Sequence, residues 1–255
     1  YYNLIKGKDY KINKIEPKDF IGPSSSTLQV INISTKNDDS DIVNIRSNYT
    51  VTDKADGERK LLYISDKGKI YLITTNLNIQ FTGAITKNKK LYETLIDGEH
   101  ILYNKNGEFI NLYASFDLYY VNGKDIRNFE FVPNEESDLE NKFRLPLLSN
   151  VISSIEAKLV GTNNLPPIRI DIKKFYETNT RQTIFQACNM ISKNVYEYET
   201  DGLIFTPKNI GVGINSDDEK IKSTKVTWKY SLKWKPPEFN TIDFLITVKK
   251  TPTGS

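Results

Sequence analysis

The stretch that decides the fold is Lys54-Ala55-Asp56-Gly57-Glu58-Arg59. The run before it, Tyr49-Thr50-Val51-Thr52, has the aromatic and β-branched residues of a strand, and residues 60–65 are typical of the next strand. The first strand therefore delivers a lysine to a turn that Gly57 sets. Lysine is a nucleophile only when it is neutral, and burial or nearby cations lower its pKa. Taken alone, the segment is explained equally well as a solvated charged turn between two strands.

Four further segments place charged residues beside glycine or aromatic residues. They are Leu95-Ile96-Asp97-Gly98-Glu99, Tyr113-Ala114-Ser115-Phe116-Asp117, Thr200-Asp201-Gly202-Leu203-Ile204-Phe205 and Ser231-Leu232-Lys233-Trp234-Lys235-Pro236. We interpret the first as a strand that ends in a glycine turn, and the last as a strand with two lysines on one face. Each has a simple structural explanation, but five such segments in one order indicate a functional site.

Composition limits the class of protein. The chain has 255 residues, 38% of them hydrophobic and 26% charged, with a net charge of +3, as is usual for a globular protein. Cys188 is the only cysteine and His100 the only histidine, which excludes an intrachain disulfide and a Cys/His zinc site. No apolar run approaches the roughly 18 residues of a membrane helix, so no membrane partner is expected. A reducing, intracellular compartment is expected.

Short strands joined by hairpins, with a few helices, predict an α+β fold of mostly antiparallel sheets. Hairpin turns are expected at residues 66–69 and 104–107, because each contains a glycine between two strand-like runs. The helices are expected at residues 135–158, where Pro146 interrupts, and at 179–194. The remaining strands are expected at residues 70–75, 91–97, 99–103, 110–117, 202–206, 226–234 and 241–248.

The order of the five segments resembles the covalent nucleotidyltransferase superfamily of DNA ligases, RNA ligases and mRNA capping enzymes. Its signature is a Lys-x-Asp-Gly nucleophile motif followed by motifs III, IIIa, IV and V, all of which match here between Lys54 and Lys235. The resemblance implies an ATP-grasp-like core of antiparallel sheets with flanking helices. An ATP-dependent DNA or RNA ligase adenylation domain is the alternative within the superfamily.

Two motifs favour the capping branch. Asp201-Gly202-Leu203-Ile204-Phe205-Thr206-Pro207 is similar to the guanylyltransferase form of motif IV, where ligases usually have Glu-Gly, and Leu232-Lys233-Trp234-Lys235-Pro236 is similar to its motif V. Residues 20–28 weakly resemble the Gly/Pro/Ser loop that precedes the lysine in capping enzymes, without its Gln-Pro-Val core. The chain looks most like the multifunctional capping enzymes of large cytoplasmic DNA viruses.

The resemblance implies an mRNA guanylyltransferase that uses GTP. Lys54 would take GMP from GTP and pass it to the 5′-diphosphate end of RNA, giving the GpppN cap. The family roles carried over are Lys233 and Lys235 at the α-phosphate, Arg59 and Glu99 at the ribose, Phe116 stacked on guanine, Lys173 or Lys174 at guanine O6, and Asp201 with Glu99 at a divalent Mg²⁺ or Mn²⁺.

The resemblance also implies a domain organisation and a setting. Residues 1–237 are expected to form the nucleotidyltransferase domain, and residues 238–255 to begin an OB-fold lid. Fused RNA triphosphatase and cap methyltransferase domains are expected in the full protein. A viral protein would act in the host cytoplasm or virion, and a cellular one in the nucleus.

Overall fold

The structure is a computed structural model that describes residues 1–7, 16–35, 42–133, 142–162, 164, 166–214 and 226–239. The expected strand at 241–248 and nearly all of the expected lid segment lie outside these residues. The strands are β1 (Ser24–Thr27), β2 (Tyr49–Ala55), β3 (Glu58–Ile64), β4 (Lys69–Thr74), β5 (Ile79–Ile85), β6 (Thr94–Tyr103), β7 (Phe109–Val121), β8 (Lys124–Asp125), β9 (Lys158–Leu159), β10 (Arg169–Ile172), β11 (Tyr176–Glu177), β12 (Thr200–Pro207) and β13 (Thr227–Trp234). The helices are α1 (Tyr2–Lys6), α2 (Arg144–Ser154) and α3 (Ile184–Lys193).

The strands form two sheets, and the chain crosses between them directly after Lys54. The five-stranded sheet has the order β1-β13-β12-β2-β11, and the eight-stranded sheet has the order β10-β7-β6-β3-β4-β5-β9, with β8 beside β7. Most neighbours are antiparallel, but β1 with β13 and β10 with β7 are parallel pairs. Because β2 and β3 belong to different sheets, the Asp56-Gly57 link places Lys54 where the two sheets meet.

Helix α2 covers the eight-stranded sheet and α3 covers the five-stranded sheet. Leu148, Val151 and Ile155 pack with Leu62 and Ile96 in the first core, while Ile184, Ala187 and Ile191 of α3 pack against the buried side chains of β2 and β12. Fully burying such an aliphatic side chain is worth about 1.5–3 kcal/mol. No helix in the described ranges is long and apolar enough to cross a membrane.

Both helices are shorter than the sequence predicts. Helix α3 begins after Thr183, which forms a capping box with Gln186, so the expected start at residue 179 is wrong. Helix α2 includes Pro146 in its first turn, where the missing N–H is harmless, so the prediction that Pro146 interrupts the helix is also wrong. Residues 135–141 of that expected helix lie outside the described part of the chain.

The glycines of the acid-glycine segments lie where neighbouring atoms leave no room for a Cβ. The expected turn at Gly98 is wrong. Strand β6 runs unbroken through Gly98, so the two strands expected at 91–97 and 99–103 are one. A Cβ on Gly98 would lie 2.5 Å from the Tyr113 ring, and one on Gly202 would lie 1.9 Å from the Trp234 carbonyl oxygen. Gly57 joins β2 to β3 as expected, but it too is required by space, since its Cβ would lie 2.8 Å from the His100 carbonyl oxygen.

Candidate active site

A cleft that is open to solvent lies between the two sheets and gathers most of the expected site residues. The five-stranded sheet contributes its side chains from β1, β2, β12 and β13, and the eight-stranded sheet from β3, β6 and β7. The lining residues are Pro23, Ser25, Thr52, Lys54, Ala55, Arg59, Asp97, Glu99, Phe116, Asp117, Tyr119, Lys173, Phe175, Ile204, Thr206, Trp228 and Ser231.

Lys54 shares one carboxylate with a second lysine. Its Nζ lies 2.6 Å from Asp201 Oδ1, and Lys235 Nζ lies 2.6 Å from Asp201 Oδ2. The side chains of Lys54 and Asp201 are 22% and 12% exposed, so the group borders solvent. Burial by itself would raise the pKa of Asp201, but the hydrogen bonds from Lys235 and Lys54 outweigh it and hold that pKa below its ordinary value. Asp201 is therefore ionised at neutral pH and holds Lys54 in place.

The two motif V lysines differ in position. The sequence predicts both lysines on one face of a strand. Strand β13 ends at Trp234, however, so Lys235 lies just beyond the strand and that prediction is wrong. Lys233 is half-buried in β13 opposite Ile204 of β12. Like Asp201 and Lys235, it is not among the residues that line the cleft. The structure thus joins Lys235, rather than Lys233, to the Lys54–Asp201 pair.

Arg59 is fixed on the opposite wall by a buried acid. Its Nε and Nη2 donate to the two oxygens of Asp97 at 3.0 and 2.5 Å, and its Nη1 donates to the Pro23 carbonyl oxygen at 2.7 Å. Asp97 is fully buried and also accepts a 2.5 Å hydrogen bond from the Tyr119 hydroxyl. Burial lowers the pKa of Arg59, but the charge of Asp97 outweighs it, so the pKa is raised.

Phe116 and Glu99 line the same wall beside Arg59. The guanidinium carbon of Arg59 lies 5.7 Å from the centre of the Phe116 ring and the same distance from the Phe20 ring. Phe116 is only half-buried, which leaves ring surface open to the cleft. Burial raises the pKa of Glu99 to about 7, against the opposing charges of Lys173 and Arg59.

The structure separates the two lysines that the sequence left as alternatives. Lys173 lies in the cleft and is 7% exposed, with its Nζ 2.5 Å from the Asp53 carbonyl oxygen and 3.1 Å from Asp53 Oδ2. Lys174 is exposed, and its Nζ lies 5.0 Å from the Tyr176 ring centre. Burial lowers the pKa of Lys173, although Asp53 opposes the shift. Of the two, Lys173 is the one that can meet a bound molecule.

Sequence reasoning missed several residues of the cleft. Ser25 and Ser231 share a 2.7 Å hydroxyl–hydroxyl hydrogen bond, and Trp228 lines the same end and donates to the Ile214 carbonyl oxygen at 2.9 Å. The weak likeness of residues 20–28 to a family loop is a signal that could have found Pro23 and Ser25. No local sequence pattern identifies Asp97, Asp53 or Tyr119 as site residues, because their hydrogen-bond partners are distant in the sequence.

The carboxylates fit a divalent cation only with help from a bound nucleotide. Within the described ranges, no group of three or more His, Cys, Asp or Glu side chains is arranged to hold a metal. Asp201 and Glu99 offer carboxylate oxygens, which Mg²⁺ and Mn²⁺ favour. One or two carboxylates suffice for Mg²⁺ when phosphate and water oxygens complete the coordination, so the donor set suits a nucleotide-bound cation.

Two sheets that enclose a cleft, with a Lys-x-Asp-Gly lysine where the chain crosses between them, define a nucleotidyltransferase core. The family model for the mRNA capping enzyme catalytic domain matches residues 32–237. The chain belongs to this family, which confirms the family and the α+β fold class that the sequence motifs predict.

The relatives are capping enzymes from a virus and from animals. The chain is 29% identical to a probable mRNA-capping enzyme of Acanthamoeba polyphaga mimivirus, over 91% of this chain and 22% of that protein. It is 25% identical to the mRNA-capping enzyme of Danio rerio, over 80% of this chain and 32% of that protein. The expected likeness to capping enzymes of large DNA viruses is confirmed. The chain spans about a fifth to a third of the length of these relatives.

Among solved structures, the chain is similar to the ligase domain of LigD from M. tuberculosis, with a TM-score of 0.48 and 11% sequence identity. The match covers 85% of this chain and 60% of the LigD chain.

Proposed function

We propose that this chain is the guanylyltransferase domain of an mRNA capping enzyme. In the first step the neutral Lys54 amine attacks the α-phosphorus of GTP, the P–N bond of lysyl-GMP forms, the bond to the pyrophosphate oxygen breaks, and the nitrogen releases one proton to solvent. In the second step a terminal oxygen of a 5′-diphosphate RNA attacks the same phosphorus, the P–N bond breaks, and Lys54 regains its proton. The supporting observation is the placement of Lys54 beside Asp201 and Lys235 at a cleft lined by Phe116 and Lys173.

The shared carboxylate accounts for how Lys54 is held and then released. Asp201 keeps the Lys54 amine in the cleft before the nucleotide arrives, with Lys235 on its other oxygen. When an anionic phosphate enters, Lys235 and Lys233 are the cations proposed to offset the charge that develops on it.

Asp201 and Glu99 are the residues proposed to hold a divalent cation together with the phosphates. When bound, that cation would supply charge neutralisation at the reacting phosphate. Arg59, held by Asp97, keeps N–H groups that Asp97 and Pro23 do not occupy, and these are proposed to meet the ribose. Phe116 offers its open ring face to the base.

Labelling with α-³²P-GTP or α-³²P-ATP, followed by a denaturing gel, tests the proposal. We expect a GMP adduct that is acid-labile and alkali-stable, whose formation needs Mg²⁺ or Mn²⁺ and is prevented by EDTA. Adding 5′-diphosphate RNA should discharge the label into a GpppN cap. Equal labelling by ATP would overturn the proposed base preference, and a failure to label with GTP would overturn the function itself.

The domain division is proposed on the resemblance alone. We propose that residues 1–237 form the catalytic unit and that the sequence from 238 begins an OB-fold lid with contacts to the β- and γ-phosphates. The triphosphatase and methyltransferase activities would belong to other parts of the full protein. A single-turnover rate at saturating GTP, compared with that of a longer chain, tests the lid, whose contacts are worth on the order of 10²-fold. Rates that agree within a few-fold would reject it.

A further inference from the structure

Among the residues that the structure describes, Lys173 is anchored by one, Asp53, which precedes the proposed nucleophile in the sequence. The ammonium group donates to the Asp53 backbone oxygen at 2.5 Å and lies 3.1 Å from Asp53 Oδ2. An ammonium group has three N–H donors and no acceptor, so two are used by Asp53. Among the described residues no other acceptor bonds the third N–H, and Lys173 lines the cleft.

The Asp53 carboxylate is itself held by buried donors. Besides Lys173, the Tyr198 hydroxyl donates to Oδ2 at 3.3 Å. The Thr52 hydroxyl lies 3.2 Å from Oδ1, but it has a shorter hydrogen bond to the Lys174 carbonyl oxygen at 2.8 Å. Asp53 is 1% exposed, and Tyr198 is buried with Ala55 and Ala114 in a small apolar cluster. A buried carboxylate with two donors has little freedom to move, so the Lys173 amine is fixed in direction as well as in place.

We propose that Asp53 is a positioning residue for base selection, holding Lys173 so that one N–H reads a carbonyl at position 6 of a purine. This inference rests on the proposed function. A 6-oxopurine accepts that hydrogen bond, whereas a 6-aminopurine presents an amino donor and leaves the buried N–H unpaired. A polar site left unpaired by the wrong substrate discriminates more strongly than shape alone.

The anchor also connects the base to the reacting end of the cleft. The carbonyl that Lys173 holds belongs to the peptide bond between Asp53 and Lys54. A wrong base disturbs Lys173 and, through this hydrogen bond, the strand that carries the nucleophile. GTP and ATP are therefore expected to differ in the rate of adduct formation at saturating nucleotide as well as in KM.

The test is single-turnover adduct formation with GTP, ITP and ATP. ITP has the 6-carbonyl without the 2-amino group, so the wild type is expected to use ITP and GTP well over ATP. In Asp53→Asn we expect the GTP-to-ATP ratio of kcat/KM to fall by about 10-fold or more. Tyr198→Phe keeps the buried ring and removes one donor to Asp53, and we expect a smaller fall, about 2- to 3-fold. It serves as the second variant if Asp53→Asn does not fold.

Two comparisons separate positioning from general damage. Asp125→Asn is the matched control, since Asp125 also accepts hydrogen bonds from a basic side chain, that of Arg127, and lies outside the cleft. Its ratio should equal that of the wild type. In a Lys173→Met background, which has already lost the N–H, Asp53→Asn should change the ratio no further.

Equal slowing of GTP and ATP by Asp53→Asn and Tyr198→Phe, with the ratio unchanged, would overturn the inference while leaving the guanylyltransferase function intact. A further fall in the ratio when Asp53→Asn is added to Lys173→Met would also overturn it. Absence of any GMP adduct in the wild type would instead refute the proposed function.

Discussion

Two groups of charged residues around the cleft handle charge in different ways. In the shared-carboxylate cluster (Lys54, Asp201 and Lys235), one acid serves two lysines and borders solvent. In the buried pairs, Arg59 with Asp97 and Lys173 with Asp53, each cation has its own acid, and those acids are 0% and 1% exposed. Exposed ion pairs exchange partners at small cost, whereas breaking a buried pair leaves an uncompensated charge. We therefore propose that the first group rearranges during the proposed reaction, while the second keeps the proposed nucleotide site in shape.

The largest effect is expected at Lys54. Lys54→Ala should reduce the GMP adduct to background because it removes the nucleophile. Lys54→Arg should do the same, since arginine keeps the charge but stays protonated and has no free lone pair. The measurement is the α-³²P-GTP label on a denaturing gel. Undiminished label in either variant would mean that another residue carries the nucleotide.

The buried pairs should dominate stability. Asp97→Asn leaves Arg59 without its charged partner, and we expect the free energy of unfolding to fall by about 3–5 kcal/mol in urea titrations. Asp171→Asn is the surface comparison, because Asp171 and its partner Arg169 have side chains that are 56% and 43% exposed, and its loss should be below about 1 kcal/mol. Similar losses in the two variants would break the distinction between buried and exchangeable pairs.

The shared carboxylate should show the reverse pattern. Asp201→Asn should lower the single-turnover rate of adduct formation by about 10²-fold, because it removes a charge from the reacting centre. Its unfolding free energy should fall by less than that of Asp97→Asn, since the Asp201 side chain is 12% exposed whereas that of Asp97 is 0% exposed, so less buried charge is left without a partner. If Asp201→Asn destabilises the protein as much as Asp97→Asn does, the cluster is a structural pair after all.

The smallest effect is expected at the stacking face. Phe116→Leu should raise KM about 10-fold for GTP and ATP alike, because stacking on an aromatic ring accepts any purine. The GTP-to-ATP ratio of kcat/KM should stay at its wild-type value, whereas Asp53→Asn is expected to lower it. Phe81→Leu, on β5 and outside the cleft, provides the control with an unchanged KM. A changed ratio in Phe116→Leu would show that the ring itself reads the base.

Local patterns in the sequence were enough to identify the family and most strands. The hairpin turns at 66–69 and 104–107 are present, with Gly68 and Gly107 at positive φ, because turn chemistry is decided by neighbouring residues. The Lys-x-Asp-Gly motif likewise predicted a strand that delivers a lysine to a glycine turn, and Lys54 lies near the end of β2, just before Gly57. Helix ends were predicted less well, since capping by Thr183 outweighed the extent of the apolar pattern.

Partner choice was decided by the tertiary structure. Lys54 and Asp201 meet across 147 residues, and Lys173 meets Asp53 across 120. Alternation along a strand tells which residues share a face, but not which other strand that face will meet. That depends on sheet order: β2 lies beside β12, and β10 beside β7. Hence the motifs alone could name Lys173 and Lys174 equally, and only the packed sheets bring Lys173 to the cleft and give it a buried acid.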